Sequence, residues 1–212
     1  MWIKICGITT VESALACVEA GADAIGFVFA TGKRKISVEA AGRIIASLPT
    51  GLEKVGVFVD KPQEEVAEIE KSIGLHLLQF HGQESPYYCS LFPGKAIKSF
   101  RVSSARDFQS IEAYRGTIRA CLLDSFRFGQ AGGTGKIWNW ELFSPAGSLG
   151  LSGIPYILAG GITAQNVSSA LQKTKPYGVD TSSGVESGGQ KDHTLIREFV
   201  RTVRRWENEK SA

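Results

Sequence analysis

Short apolar runs alternate with amphipathic stretches along the whole chain. The apolar runs are rich in Ile, Val, Leu and Phe at consecutive positions, which is typical of strands buried on both faces of a parallel sheet. We predict eight strands, at residues 2–6, 23–29, 54–59, 75–80, 96–100, 119–123, 155–158 and 177–180.

The stretches between the strands have the apolar spacing of helices. We predict eight helices, at residues 10–20, 37–47, 62–72, 85–91, 103–113, 139–143, 164–172 and 192–207. Gly21 is suited to end the first of them. The residues placed to cap helix starts are Thr10, Ser37, Thr163 and Asp192.

Eight strands alternating with eight helices indicate an α/β fold, the closed (β/α)8 TIM barrel, rather than an open sheet. A Rossmann-type domain would alternate in the same way, but Cys6-Gly-Ile-Thr9 follows the first strand where that fold has GxGxxG. A length of 212 residues suits one domain with a substantial core. We therefore expect residues 1–212 to form a single domain.

Composition excludes several classes of protein. A net charge of +3 is too small and too scattered to indicate nucleic-acid binding. The chain has no apolar stretch long enough for a membrane span, and its start lacks the apolar run of a signal peptide. Its four cysteines form no CxxC pair, which argues against disulfides and zinc. We expect a cytoplasmic enzyme that uses no metal or cofactor, as a monomer or a homodimer.

The last predicted helix is basic along one side, with Arg197, Arg201, Arg204 and Arg205. A basic helix can bind a membrane or nucleic acid. Its apolar residues recur with the helical period, however, so we interpret it as an outer barrel helix with a solvated face.

Two strands near the end of the chain stop in small residues. Gly160 and Gly161 follow the seventh strand, and Ser182, Ser183 and Gly184 follow the eighth. Small residues let backbone N–H groups approach an anion closely, and a helix start that follows adds its positive dipole end. Two such loops late in a (β/α)8 chain are typical of a phosphate site, so we expect a small phosphorylated ligand.

Chemically active residues also stand at the ends of other strands, where barrel enzymes bind their ligands. Cys6 follows the first strand, Arg34 lies after the second, Asp60 follows the third, His81 the fourth and Asp124 the sixth. We interpret the remaining cysteines as packing residues: Cys17, Cys89 and Cys121.

Each of these residues also has an ordinary structural interpretation. Cys6 could be a small buried apolar residue, and Asp124 could cap a turn. Arg34 could be one of three solvated cations, although a guanidinium also grips a carboxylate with two hydrogen bonds. His81 has no second histidine at another strand end, so a metal site is not indicated. Opposite a strand-end thiol in a phosphate-binding barrel, Asp124 is the better candidate for a general acid.

Lys4 lies two residues before Cys6, so in a strand both side chains share one face. We therefore expect Lys4 to be buried inside the barrel beneath Cys6. An unpaired buried ammonium would be very costly, so it requires a carboxylate. Asp180, on the strand that closes beside the first, is the expected partner. The pair could be purely structural or could also favour the thiolate of Cys6.

The longest irregular segment runs from Asp124 to Lys136 and contains four glycines. Long loops within compact domains are usually functional or disordered. Because this one follows a strand, we expect it on the catalytic face, where it could close over a ligand.

Nine motifs along nearly the whole chain together resemble the phosphoribosylanthranilate isomerases of tryptophan biosynthesis. The motifs are Lys4-Ile-Cys-Gly-Ile-Thr9, Gly21-Ala-Asp-Ala-Ile-Gly-Phe-Val-Phe29, Arg34 with Ile36-Ser37, Val55-Gly-Val-Phe-Val59, Leu78-Gln-Phe-His-Gly82, Leu122-Leu-Asp124, Gly132-Gly-Thr-Gly-Lys136, Leu158-Ala-Gly-Gly161 and Val179-Asp-Thr-Ser-Ser-Gly-Val-Glu186.

The resemblance implies an Amadori rearrangement of N-(5-phosphoribosyl)anthranilate to 1-(2-carboxyphenylamino)-1-deoxyribulose 5-phosphate, without metal or cofactor. It implies that Cys6 is the general base, Asp124 the general acid and Arg34 the partner of the anthranilate carboxylate. The loops after the seventh and eighth strands would cradle the phosphate. The sequence departs from the family in the loop before Arg34, which reads Thr31-Gly-Lys where a serine and a proline are common.

Three rival functions differ from this one in their residue requirements. A ribulose-phosphate epimerase needs metal-binding histidines and aspartates at several strand ends. The aldose isomerase of histidine biosynthesis performs the same rearrangement with paired aspartates, whereas Cys6 stands at the first strand end here. A barrel that only binds a phosphorylated metabolite would have no need to retain both Cys6 and Asp124.

Overall fold

Eight parallel strands close into a barrel in sequence order, as predicted. The computed structural model describes residues 1–102, 104, 107–124, 151 and 153–211. The strands are β1 Trp2–Cys6, β2 Ala24–Val28, β3 Glu53–Phe58, β4 Leu77–Phe80, β5 Ala96–Arg101, β6 Ala120–Asp124, β7 Tyr156–Ala159 and β8 Gly178–Thr181.

Seven α-helices lie in the described part of the chain. They are α1 Val11–Ala20, α2 Val38–Ala46, α3 Gln63–Ile73, α4 Pro86–Ser90, α5 Asp107–Ile111, α6 Val167–Thr174 and α7 His193–Ser211. Short 3-10 helices follow α5 at Glu112–Tyr114 and β8 at Ser183–Val185. The helix predicted at 139–143 and most of the 124–136 loop, with its Gly132–Lys136 motif, lie outside the described residues.

Three of the four predicted helix caps are confirmed. The hydroxyls of Thr10 and Ser37 accept hydrogen bonds from backbone N–H groups in the first turns of α1 and α2. Asp192 does the same for α7. The prediction for Thr163 was wrong, because α6 begins only at Val167, after Asn166.

Asn166 is the reason for the late start of α6. Its side-chain oxygen accepts from the backbone N–H of Thr163 at 2.9 Å, and its nitrogen donates to the carbonyl of Gly161 at 2.9 Å. The segment after β7 therefore closes a turn before the helix begins. The Asn166 side chain also binds the backbone of Gly161, the second glycine of this loop.

Alternate residues of the strands face inward and outward. The outward residues pack against the helices in the larger of two buried apolar clusters. The inward residues fill the barrel with small and branched side chains, namely Ala24, Val55, Leu77, Ile97, Ala120, Leu122, Ile157 and Ala159.

A short antiparallel ribbon follows β8 and was not predicted. Its strands are β9 Glu186–Ser187 and β10 Gln190–Lys191, and Lys191 is paired with Glu186 in the register. Gly188 and Gly189 form the two-residue turn, with φ of 59° and 82°. Positive φ at both central residues is the conformation that a tight hairpin of this length favours.

Helix α7 buries the apolar face that its periodicity predicted, including Phe199, Val200 and Val203. The basic face is solvated as predicted at Arg197, Arg201 and Arg205, whereas Arg204 is partly buried. Its guanidinium donates to the carbonyls of Met1 and Gly21 and to the Asp23 carboxylate. Arg204 therefore connects α7 to the residue before β1 and to the loop between α1 and β2. Among the described residues, no helix combines the length and apolar character needed to cross a membrane.

We predict that Arg204→Met lowers the free energy of unfolding by about 1 kcal/mol, because its four partly exposed hydrogen bonds, to Met1, Gly21, Asp23 and Glu207, are lost. Urea denaturation measures this change. Arg201→Met is the matched control, since Arg201 is exposed on the same helix. Equal unfolding free energies for the two variants would contradict the role assigned to Arg204.

Candidate active site

Cys6 and Asp124 both lie at the carboxyl-terminal rim of the barrel. Each continues an inward-facing row, Cys6 after Trp2 and Lys4 on β1, and Asp124 after Leu122 on β6. The thiol is buried, and the side chain of Asp124 is 19% exposed. The two residues thus stand on strands separated by β7 and β8, on different sides of one mouth.

Lys4 is buried inside the barrel and paired with Asp180, as predicted. The ammonium has no exposed surface, and Nζ lies 2.8 Å from Oδ1 of Asp180. The register of β1 with β8 places the two residues directly beside each other. Burial works to lower the pKa of Lys4, but Asp180 and then Cys6 outweigh burial and raise it. The ammonium therefore remains charged beneath the thiol.

The environment of Cys6 favours the neutral thiol. Burial raises its pKa, Lys4 opposes that rise, and Asp180 adds to it. Gly26 on β2 leaves the space that both side chains occupy. A Cβ at Gly26 would lie 2.9 Å from Cys6 Sγ and 3.1 Å from Lys4 Cε. Lys4 thus stabilises a thiolate but does not overcome the cost of burial.

His81, just after β4, approaches Asp124 at the end of β6, with β5 between the two strands. Its Nε2 lies 3.6 Å from Oδ2 of Asp124, and its Nδ1 lies 3.1 Å from Nε2 of Gln79. With the Gln79 amide in this orientation its nitrogen donates to Nδ1, which assigns the ring proton to Nε2, facing Asp124. Burial lowers the pKa of His81, and Asp124 only partly opposes this. His81 is therefore a neutral imidazole that presents an N–H to the carboxyl group.

Arg34 binds a carboxylate of the protein itself. Its Nε and Nη2 donate to the two oxygens of Glu186 at 2.6 and 2.7 Å. Lys191 Nζ donates to the same carboxylate at 2.6 Å and to the carbonyl of Ser182 at 2.9 Å. The hydroxyl of Ser182 in turn donates to the carbonyl of Cys6 at 2.9 Å. A continuous polar chain thus joins Arg34 to the loop after β8 and to the end of β1.

Sequence reasoning did not identify Glu186 and Lys191 as site residues. Glu186 ends the motif Val179–Glu186, but the motif alone indicates no role for it. The usable signal was the dipeptide Gly188-Gly189, which is typical of a two-residue hairpin and sets Lys191 opposite Glu186.

The two glycine-containing loops lie against each other. Gly160 and Gly161 both have positive φ, of 81° and 65°, which favours glycine at these positions. A Cβ at Gly184 would lie only 2.0 Å from the carbonyl oxygen of Ile162, so the loop after β8 packs directly on the loop after β7. Thr181 Oγ1 also donates to that carbonyl at 2.6 Å. The predicted phosphate loops are therefore neighbours.

Asp60, which follows β3, makes its contact with the neighbouring loop after β4. Asp60 accepts from the backbone N–H of Gln83 at 2.6 Å, and so connects the loops after β3 and β4. In the part of the chain that the structure describes, no three His, Cys, Asp or Glu side chains cluster as metal ligands would.

Comparison with known proteins assigns the family. Residues 3–202 match the family described as N-(5'phosphoribosyl)anthranilate (PRA) isomerase. An N-(5'-phosphoribosyl)anthranilate isomerase of Desulforudis audaxviator is 48% identical over 204 residues, which cover 95% of this chain and 97% of the relative.

Solved structures agree. Phosphoribosyl anthranilate isomerase from Thermotoga maritima has a TM-score of 0.87 and 38% identity, covering 96% of this chain and 98% of that one. A phosphoribosyl anthranilate isomerase in complex with reduced 1-(o-carboxyphenylamino)-1-deoxyribulose 5-phosphate has a TM-score of 0.83 and 37% identity, with the same coverage. As its motifs predict, the chain belongs to the N-(5'-phosphoribosyl)anthranilate isomerase family.

Proposed function

We propose that this protein catalyses the Amadori rearrangement of N-(5-phosphoribosyl)anthranilate to 1-(2-carboxyphenylamino)-1-deoxyribulose 5-phosphate, in tryptophan biosynthesis. The observation that carries the proposal is the placement of a thiol and a carboxyl group on separate strands of one barrel mouth. The glycine-containing loops after β7 and β8 adjoin this mouth. Family membership supports the same reaction.

The reaction needs one acid and one base. Asp124 gives a proton to the ring oxygen of the ribose, which opens the furanose and leaves an iminium at C1′. The iminium acidifies the hydrogen on C2′, and Cys6 removes it to form an enolamine. The enolamine then tautomerises to the ketone, as C1′ gains a proton and the hydroxyl on C2′ loses one. General acid and general base catalysis each contribute on the order of 10²–10⁴ in rate.

Two anionic groups of the substrate anchor it between these side chains. We assign the anthranilate carboxylate to Arg34, whose guanidinium can form two parallel hydrogen bonds with it. We assign the phosphate to the backbone and hydroxyl groups around Gly160, Gly161, Ser182 and Ser183, with Gly184 keeping the two loops in contact. Binding both ends leaves the pentose between Cys6 and Asp124.

Lys4, Asp180 and His81 support the reacting groups. Lys4 stabilises the thiolate form of Cys6, which is the form that accepts the proton from C2′. Asp180 supplies the counter-ion that keeps Lys4 charged. His81 presents its Nε2 proton to Asp124 and so orients the carboxyl group. We place the reaction in the cytoplasm, with the protein acting as a monomer or a homodimer.

We predict that Cys6→Ser and Asp124→Asn lose most of kcat, by about 10²-fold or more, because each removes one proton transfer. Both variants should still bind the reduced product analogue. The loss of substrate fluorescence measures turnover, and Cys89→Ser, which alters a buried cysteine of α4, is the control. Near-normal turnover in Cys6→Ser would refute the assignment of the base.

We also predict that the pH profile of Cys6 alkylation has its midpoint above the ordinary thiol value of about 8.5, because burial raises the pKa of Cys6. The thiolate is the reactive form, so the rate rises with pH through that pKa. In Lys4→Met/Asp180→Asn the midpoint should move higher, because the influence of Lys4 on this thiol exceeds that of Asp180.

Mass spectrometry of the peptide that carries Cys6 separates its alkylation from that of the other three cysteines. The paired substitution avoids a lone buried charge, which would itself destabilise the fold. An unchanged or lower midpoint in the paired variant would remove the electrostatic role of Lys4.

A further inference from the structure

The guanidinium of Arg34 is held along one edge only. Its Nε and Nη2 atoms are engaged by Glu186, with both hydrogen bonds shorter than 2.8 Å. Among the described residues, none accepts a hydrogen bond from Nη1. The outer edge, formed by Nη1 and the second proton of Nη2, therefore has the fork geometry that a second carboxylate requires.

The stem of Arg34 is fixed as closely as its head. A Cβ at Gly7 would lie 2.5 Å from Arg34 Cδ, so the side chain passes directly over the backbone at the end of β1. Gly7 has a φ of 80°, where any larger residue would be strained. The Arg34 side chain therefore runs from its loop across Gly7 to Glu186.

Glu186 is held in turn by the β9–β10 ribbon. Lys191 lies opposite it in the register, with a side chain only 3% exposed. Burial works to raise the pKa of Glu186, but its hydrogen bonds with Arg34 and Lys191 outweigh burial and lower it. The carboxylate is thus charged, and its charge is balanced by two cations.

We propose that Glu186 is a positioning residue that aims the outer edge of Arg34 at the carboxylate of the substrate. Lys191, which also binds Ser182, ties this arrangement to the loop after β8, so the two anion-binding ends of the mouth form one connected unit. The inference rests on the proposed function, because it concerns the same substrate.

Two effects of Glu186 on a bound carboxylate oppose each other. Its negative charge repels a second carboxylate. Its two hydrogen bonds with Arg34, however, hold that side chain in place beforehand, which reduces the entropy lost when a ligand binds. Lys191 neutralises the first effect through its contact of 2.6 Å with Glu186. The second effect remains, so positioning outweighs repulsion.

The test compares two ligands on the full-length protein by calorimetry. One is reduced 1-(o-carboxyphenylamino)-1-deoxyribulose 5-phosphate, and the other is the same compound without the carboxylate. In Glu186→Gln the dissociation constant of the first ligand should rise about tenfold, while that of the second changes by less than about twofold. A purely structural role for Glu186 would weaken both ligands alike.

A double-mutant cycle with Arg34→Met shows whether Glu186 acts through Arg34. In the Arg34→Met background, Glu186→Gln should cause no further loss of preference for the carboxylated ligand. Glu112→Gln is the matched control, because it removes a similar two-bond contact with Arg115 on the surface. Glu186→Asp, which keeps the charge but shortens the reach, should act in the same direction and serves if Glu186→Gln does not fold.

The outcomes separate this inference from the proposed function. If the wild type does not prefer the carboxylated ligand, the assignment of Arg34 in the proposed function fails. If the wild type prefers it and Glu186→Gln binds it equally well or more tightly, the positioning role fails and Glu186 is a competitor for Arg34. Additive losses in the cycle would also overturn the inference.

Discussion

The ion pair between Lys4 and Asp180 lies at the seam where the first and last strands close the barrel. A buried ammonium is stable only beside a carboxylate, and the β1–β8 register supplies one from the neighbouring strand. A one-residue shift of either strand would turn one partner away from the interior and leave the other uncompensated. The pair therefore specifies the closing register, and the alternation of side chains along β1 places Cys6 at the rim directly above the charged Lys4.

Charges of opposite sign also alternate around the mouth. Lys4 and Asp180 lie below the rim, and Arg34, Glu186 and Lys191 form a second series above it. Both series contain a lysine with little or no exposed surface. Because each carboxylate is already paired within the protein, the anionic groups of a ligand meet cations whose positions are fixed beforehand. Preorganisation of this kind reduces the ordering cost of binding.

The sequence predicted the elements better than it predicted the contacts between them. All eight strands follow from apolar runs, because burial on both faces leaves a strong signal. The pairing of Lys4 with Asp180 also followed, since strand alternation and barrel closure leave few possible partners. The late start of α6 did not follow, because Asn166 and Thr163 are both plausible caps and only the loop conformation decides between them.

Glu186 and Lys191 show a second limit of prediction from sequence, which concerns contacts between distant loops. The positioning role proposed for Glu186 depends on its contact with Arg34, 152 residues away in sequence. Local sequence patterns can place Lys191 opposite Glu186 through the glycine turn. They do not show that the loop carrying Arg34 contacts this hairpin. The placement of Arg34 over Gly7 arises only when β1 and β2 are neighbours in the closed barrel.

The same seam explains why a thiol suits the end of β1. A carboxylate at the position of Cys6 would be a second buried anion beside Asp180, with Lys4 as their shared counter-ion, and like charges so close destabilise each other. A thiol whose pKa is raised by burial is neutral in the resting protein, so the ion pair below it stays balanced. Negative charge then develops at Cys6 only when the thiol ionises, and Lys4 is already positioned to receive it. The barrel thus keeps a reactive group at its rim without the stability cost of a permanent third charge.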